Sequence, residues 1–510
     1  MPDAAAIAVP PLPGVPHATD RRGMLLYGLL GFAAGLPFYM FSTVLVLRLQ
    51  AHGVALTVLG FFAWVQLLPT LKFLWAPLLD RYDIPGFGRF WGKRRGWIML
   101  AQLGIFTAMV AMAWTSSDAS LGVTALFAVL LAFWTTTLEI AADAWRIELY
   151  PTQDEQGPIV AANLWGYRSA MVAAGSGALL IADSGGWAFA YLGIAVAAFL
   201  PFPILVAMRS HGSEGSGRGG ALATGVIASV VILGIVAAAT AAIGWVALSL
   251  AAHAGIDAKS NVTPWVLGLC MLPFVAMAAA LPRIRRAPAD APIRTSVALG
   301  PYVDFFWRYG FAAILLMAFV SIYRMGDVLA LNLSKPMIKA LGYSLSQIGR
   351  ADGVVALFSS IVGVGLGGWL VTRWPMSWML VIGAVVAGIG NFGFVWLAHQ
   401  PVAESMLYVA TAFDQFGNGF AGAVFVVYLS LLVNPRHAGA QYAFLTGFAF
   451  LLPRLLAGAG GAIVGVIGYD KFFLISGVAS LAAIPFVPAL TRVRARTDGE
   501  PEDGKSEDGA

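Results

Sequence analysis

Long apolar runs and short polar breaks alternate along almost the whole chain. Each run is close to the roughly 20 residues that a helix needs to cross a bilayer. The pattern predicts spans at residues 24–49, 56–79, 97–115, 121–143, 159–182, 187–208, 222–251, 264–281, 306–331, 345–371, 376–397, 403–431, 439–467 and 471–490, about fourteen in all. Every second break is basic. Arg21 and Arg22 precede the first run, Arg146 follows the fourth, and Arg209 and Arg218 follow the sixth. Arg283, Arg285, Arg286 and Arg294 follow the eighth, Arg373 the tenth, Arg436 the twelfth, and Arg492, Arg494 and Arg496 the last. The breaks between these are short and poor in Lys and Arg, apart from Lys259, Lys335, Lys339 and Lys471. Cytoplasmic loops carry the excess of Lys and Arg. An even number of spans with both termini cytoplasmic satisfies the whole alternation.

The most basic break reads LLDRYDIPGFGRFWGKRRGW over residues 78–97. An Asp at a helix end beside clustered Arg residues can latch one side of a bundle shut through charge-assisted hydrogen bonds. Asp80, Arg81, Arg94 and Arg95 are therefore the expected cytoplasmic gate. Composition points the same way as the runs. The 510 residues are 59% hydrophobic and 11% charged, with mean hydropathy +0.79, whereas soluble domains carry about a quarter charged residues. The pI of about 9.3 could suggest nucleic acid, but the basic residues sit at helix ends on one side, where membrane topology explains them. The single cysteine, Cys270, excludes an intramolecular disulfide. The N-terminal stretch lacks a basic region joined to a short apolar core, so it does not read as a cleaved signal peptide. The C-terminal DGEPEDGKSEDGA is acidic and reads as disordered.

The chain also repeats itself. AHGVALTVLG at 51–60 and ALGYSLSQIG at 340–349 share Ala, Gly, Leu and Gly in register, with Thr57 opposite Ser346. Internal repeats with a substrate site at their interface mark secondary transporters. The expected organisation is a cytoplasmic tail (1–22), a six-helix half (23–210), a linker with an extra transmembrane hairpin (211–304), a second six-helix half (305–491) and an acidic tail (492–510). The fold class is an all-α polytopic membrane protein.

Ionisable side chains inside spans are expensive and default to functional roles. Lys72 and Gln66 lie in the second run, Glu139 and Asp143 near the end of the fourth, and Arg168 in the fifth. Arg324 and Asp327 open the second half, Arg350 and Asp352 begin the next run, and Asp414 and Arg454 are mid-span. Glu139 and Asp143 share a helix face one turn apart. Two carboxylates that close in a low dielectric do not both ionise cheaply, so Glu139, Asp143 and Arg168 are the proton-coupling candidates. A structural alternative pairs Asp143 with Arg146 three residues on, or with Arg168 across helices. Arg324 and Asp327 are spaced to pair on one helix. Asp414 and Arg454 fit either a neutral pair or a cavity in which Arg454 holds an anionic group. Tyr39, Gln66, Lys72, Arg324, Asp327, Asp414, Asn418 and Arg454 are the substrate-cavity candidates.

Glycine-rich stretches such as GVGLGGW at 363–369 read as close helix packing. No strand precedes that stretch and no Lys-Ser/Thr follows it, so it is not a nucleotide loop. The six His are scattered, so neither a metal set nor a catalytic triad can be argued, and no cofactor is expected. Prolines 37, 69, 77, 273, 453 and 485 lie in or at spans, where they can bend helices and free carbonyls.

With the spans placed, the chain resembles the AmpG muropeptide permeases of the major facilitator superfamily over roughly residues 24–490. The resemblance rests on GFAAGLPF at 31–38, KFLWAPLLDRY at 72–82, GKRRGW at 92–97, DAWR at 143–146 with GYR at 166–168, RMGD at 324–327, GAQYAF at 439–444 and PRLLAG at 453–458. It implies a major facilitator fold of two six-helix halves and a central hairpin, in the bacterial inner membrane. It also implies proton-driven import of anhydro-muropeptides, with protons and a small solute as partners, the lipid bilayer as surroundings and no nucleic acid. A monomer is expected. Glu139, Asp143, Arg168, Asp327, Asp414 and Arg454 are the positions it singles out. Siderophores and acyl thioesters are the alternative cargoes, and a membrane scaffold without transport is the alternative class.

Overall fold

In the computed structural model, the described residues are 21–52, 54, 64–85, 90–115, 121–208, six positions between 223 and 231, 275–458 and 460–496. They are 86% helical and contain no strand. Nine helices among them are long and apolar enough to cross a membrane. The N-terminal set comprises α1 (Arg21–Ala51), a broken element ending in α2 (Ala76–Arg81), α3 (Lys93–Trp114), α4 (Leu121–Leu149), α5 (Gln153–Val172) and α6 (Trp187–Ala207). A short α7 (Gly300–Tyr309) leads into the C-terminal set. That set is α8 (Ala312–Ala340), α9 (Ser346–Val371), α10 (Met376–Ala398), α11 (Glu404–Leu432), α12 (Ala438–Gly458) and α13 (Gly460–Leu481). Twelve of the expected spans thus have helical counterparts. The spans expected at 222–251 and 264–281 fall mostly outside the described residues, as do most of the tails and of the 51–60 repeat; Arg89, Arg209, Arg218, Lys259 and Cys270 fall outside them.

Local chemistry explains where the elements depart from plain runs. The second span is not one α-helix. Two 3-10 stretches, Trp64–Thr70 and Lys72–Leu74, precede α2, with Pro69 in the first and Pro77 at the start of α2. Proline lacks the N–H that an α-helix needs. The run expected at 306–331 is cut at Gly310 (φ 56°), and α13 bends at Gly468 (φ 81°). Thr152 and Glu155 form a capping box that starts α5. Arg48 of α1 donates 2.7 Å to the carbonyl of Met112 and also bonds the Thr115 carbonyl, closing the C-terminus of α3.

Large apolar side chains are exposed on the outer surface, among them Leu126, Leu180, Phe358, Val362, Trp378, Ile389 and Val466. A bilayer accepts such a surface because the helices satisfy their own backbone groups. The interior packs through small residues. α1 runs against α5 so closely that a Cβ on Gly31 would lie 2.0 Å from the carbonyl oxygen of Asn163. The two sets meet along α5 and α9, and along the broken element, α4 and α12.

Candidate functional site

At the end of the bundle that carries residues 80–97, Asp80 is buried at the close of α2. Its two carboxylate oxygens accept hydrogen bonds from the backbone N–H groups of Gly439 (3.0 Å) and Ala440 (2.7 Å), in the first turn of α12. Those N–H groups have no partner within their own helix, and the positive end of the helix dipole favours an anion there. Gly439 lacks a Cβ at the point of contact, where one would stand 2.7 Å from Asp80 Oδ1. Arg94 holds the other side of the carboxylate at 2.7 Å and also reaches Glu148 at 2.6 Å. Arg81 donates to the Thr295 carbonyl and Arg95 to the Met208 carbonyl, so neither takes part in the bond between the sets.

A second group of bonds joins the sets at the same end. Arg146 is 1% exposed. It bonds Asp143 (3.0 Å) and Gln156 within the N-terminal set, and Ser430 (3.1 Å) of α11. Its guanidinium also sits over the ring of Tyr442 in α12. Gln153 donates to the carbonyls of Val371 (2.7 Å) and Trp374 (2.9 Å).

Further along the bundle lies a cluster of charges. Lys72 is buried and stands 3.6 Å from Glu139. Arg454, near the C-terminal end of α12, is exposed yet bonds Thr70 of the opposite set. Arg168 of α5 donates 3.1 Å to the side-chain oxygen of Asn418 in α11. Tyr167 packs on Tyr39 and lies within electrostatic reach of Glu139, Arg168 and Arg454. Arg324 pairs with Asp327 at 2.7 Å, and Asp414 accepts from Gln415 at 2.8 Å. Asp414 is within electrostatic reach of Asp327 and Arg168. Arg454 is thus both exposed and bonded across the interface between the sets. Among the described residues, no hydrogen bond joins the two sets beyond this level, away from the basic end.

The observed pairings decide between the alternatives. Of the two partners expected for Asp143, Arg146 is the one it meets and Arg168 is not, because Arg146 is one turn away on the same helix. Glu139 is met by Lys72 at 3.6 Å, beyond the 3-10 stretch that contains Pro69. Asp414 and Arg454 form no pair, for their partners are Gln415 and Thr70. Arg350 and Asp352 reach Glu404 and Lys335 at the end opposite the basic one. Gln66 is in the broken element, and its side chain lies outside the described residues. Sequence reasoning missed Thr70, Glu148, Gln156, Ser430 and Gly439. Only Gly439 carried a readable signal, as the first residue of GAQYAF.

Surface clefts do not compete with this cluster. One of about 390 Å³ is lined by residues including Met337, Gly468 and Lys471. Another, of about 490 Å³, is lined by residues such as Trp396 and His399. Both lie at the opposite end of the C-terminal set. Among the described residues, no group of His, Cys, Asp or Glu is arranged to hold a metal ion.

Solved structures of the proton:xylose symporter XylE share this architecture. One, bound to 6-bromo-6-deoxy-D-glucose, aligns with TM-score 0.58 and 15% identity over 93% of this chain and 95% of its own. A double-tryptophan mutant of XylE aligns with TM-score 0.61. The Major Facilitator Superfamily profile matches residues 314–508. The fold is therefore the major facilitator fold, and the superfamily's profile covers the C-terminal part of the chain. Along most of its length the chain is similar to AmpG proteins. The anhydromuropeptide permease of Escherichia coli (strain K12) is 26% identical over 469 residues, 91% of this chain and 78% of its own. A protein of Rickettsia conorii (strain ATCC VR-613 / Malish 7) that carries the name AmpG 4 is 26% identical over 461 residues, 89% of this chain and 93% of its own.

Proposed function

We propose that this transporter imports anhydro-muropeptides across the bacterial inner membrane, coupled to protons, by alternating access of a cavity between two six-helix halves. The observation that carries the reading is the similarity to the Escherichia coli anhydromuropeptide permease along nine-tenths of the chain. The charged cluster supports it, because a polar cargo needs polar partners at the level where a bilayer supplies none. In this reading the basic end and both termini are cytoplasmic. Asp80, Arg94 and Glu148 hold that side shut while the cavity is reached from outside, with Arg81 and Arg95 beside them. Glu139 takes the coupling proton, releasing Lys72 for the cargo. Asp143 steadies Arg146. Tyr39, Arg168, Arg324, Asp327, Asp414, Asn418 and Arg454 surround the cargo. No enzymatic step and no cofactor enter this scheme.

Uptake of labelled anhydro-disaccharide tripeptide into proteoliposomes with an imposed pH gradient tests it. Accumulation that a protonophore abolishes is the expected result. Absence of uptake, with accumulation of a siderophore or an acyl thioester from the same panel, would transfer the reading to that solute.

A further inference from the structure

Four cations occupy the charged cluster, and two of them are matched. Lys72 has Glu139 at 3.6 Å, and Arg324 has Asp327 at 2.7 Å. The remaining two are guanidiniums, Arg168 from the N-terminal set and Arg454 from the C-terminal set. Among the described residues, neither has a carboxylate within ion-pair distance. Each instead donates across to the opposite set, to a neutral oxygen: Arg168 to the Asn418 amide and Arg454 to the Thr70 hydroxyl. A neutral oxygen compensates a guanidinium less well than a carboxylate does, because hydrogen bonds between ionised partners are roughly twice as strong. Asp414 is the one remaining acid of the cluster, and its bond is to Gln415.

Crosslinking the sets does not require this arrangement. A neutral pair would join two helices without bringing an unmatched guanidinium to the interface. Arginine suits a carboxylate because its planar fork meets both oxygens at once. The exposure of Arg454 at this interface leaves its fork accessible to a ligand.

We propose that Arg168 and Arg454 form a two-armed anion receptor, one guanidinium from each set, for a cargo bearing two carboxylates that displace Asn418 and Thr70. The proposal rests on the transport reading above and adds the charge class of the cargo. An acidic peptide stem supplies such a pair of carboxylates, whereas a neutral saccharide does not.

The test uses the full chain in nanodiscs and paired probes. One pair is anhydro-disaccharide tripeptide and its fully amidated form. The other is alanyl-glutamate and its diamide, which carry no sugar. The acid tripeptide should bind roughly 100-fold more tightly than the amide, about tenfold or more for each guanidinium engaged. Arg168→Gln and Arg454→Gln should each narrow the acid-to-amide ratio about tenfold. Should either variant fail to fold, the wild type still decides. The acid form should shield Arg168 and Arg454 from phenylglyoxal, mapped by mass spectrometry, and the amide should not. Equal binding of acid and amide, or equal reactivity of both arginines with either, overturns the receptor while leaving the cargo reading intact. If neither tripeptide form binds, the cargo reading falls and the dipeptides judge the receptor. Shielding by alanyl-glutamate alone supports it, and shielding by neither overturns it.

Discussion

Replacing Asp80 with Asn should open the basic end of the bundle, and the structure sets the size of the effect. Asp80 makes two kinds of bond. That to Arg94 lies within the N-terminal set, survives any movement of the sets and does not bias their equilibrium. Only the bonds to the N–H groups of Gly439 and Ala440 cross the interface. Asparagine keeps one acceptor oxygen, so one crossing bond persists as a neutral one and the other is lost. A hydrogen bond to a charged group contributes about 1.5–3 kcal/mol. At roughly 1.4 kcal/mol per tenfold, the ratio of closed to open molecules should fall about 10- to 100-fold. Folding should suffer less, because Arg94 retains Glu148 at 2.6 Å. Gly439→Ala is the matching perturbation from the other side, since its Cβ would stand 2.7 Å from Asp80 Oδ1 and force the carboxylate away. Spin labels at Arg81 and Arg436, both exposed, would read the separation of the sets by electron–electron resonance. Both variants should enrich the longer distance. Unchanged distributions in both, with uptake also unchanged, would refute the latch and leave Asp80 as part of a topology signal.

Other perturbations separate the remaining roles. Glu139→Gln should abolish gradient-driven accumulation in proteoliposomes yet preserve exchange, because exchange does not require proton release; full accumulation would move the proton site to Asp327 or Asp414. In a Cys270→Ser background, a thiol in place of Lys339 should react with an impermeant reagent in intact cells and one in place of Arg436 should not; the reverse pattern would invert the topology. Gly31→Val should lower the melting temperature of the purified protein, since its Cβ meets the Asn163 carbonyl at 2.0 Å and overpacking costs about 1–3 kcal/mol.

What the sequence revealed and what it concealed follow from the range of each interaction. Spans were legible because burial in lipid imposes its pattern within each 20-residue run. The pairing of Arg324 with Asp327 was legible because three residues on a helix set a distance. The same rule favoured Arg146 as the partner of Asp143, whereas Arg168 required knowledge of how α4 and α5 are rotated. The 3-10 character of residues 64–74 left hydropathy unchanged, so the turn of Lys72 toward Glu139 was invisible despite Pro69. Thr70 and Arg454 are 384 residues apart, and Arg146 and Ser430 are 284 apart. The partners at those distances are mostly neutral, and a serine or threonine in an apolar run announces nothing.

The bonds between the sets differ in strength along the bundle, and that gradient bears on how a cargo would switch the protein. At the basic end they involve the charged Asp80 and the buried Arg146, together with Gln153 on two carbonyls. At the charged cluster they are single bonds from guanidiniums to neutral oxygens. A ligand moves an equilibrium only by its differential affinity for the two states. An anion that bridged Arg168 and Arg454 would replace two weak crossing bonds with stronger ones at that level, drawing the sets together around the cargo. The latch at the basic end would then oppose the same rotation. A cargo contributing about 1.5–3 kcal/mol at each guanidinium is comparable with the crossing bonds of Asp80 and not far above them. Cargo binding alone would therefore leave the two closures near balance, and neutralising one acid in the cluster by a proton would be enough to decide between them. Coupling would arise from that near-balance, with no need for direct contact between the proton site and the latch.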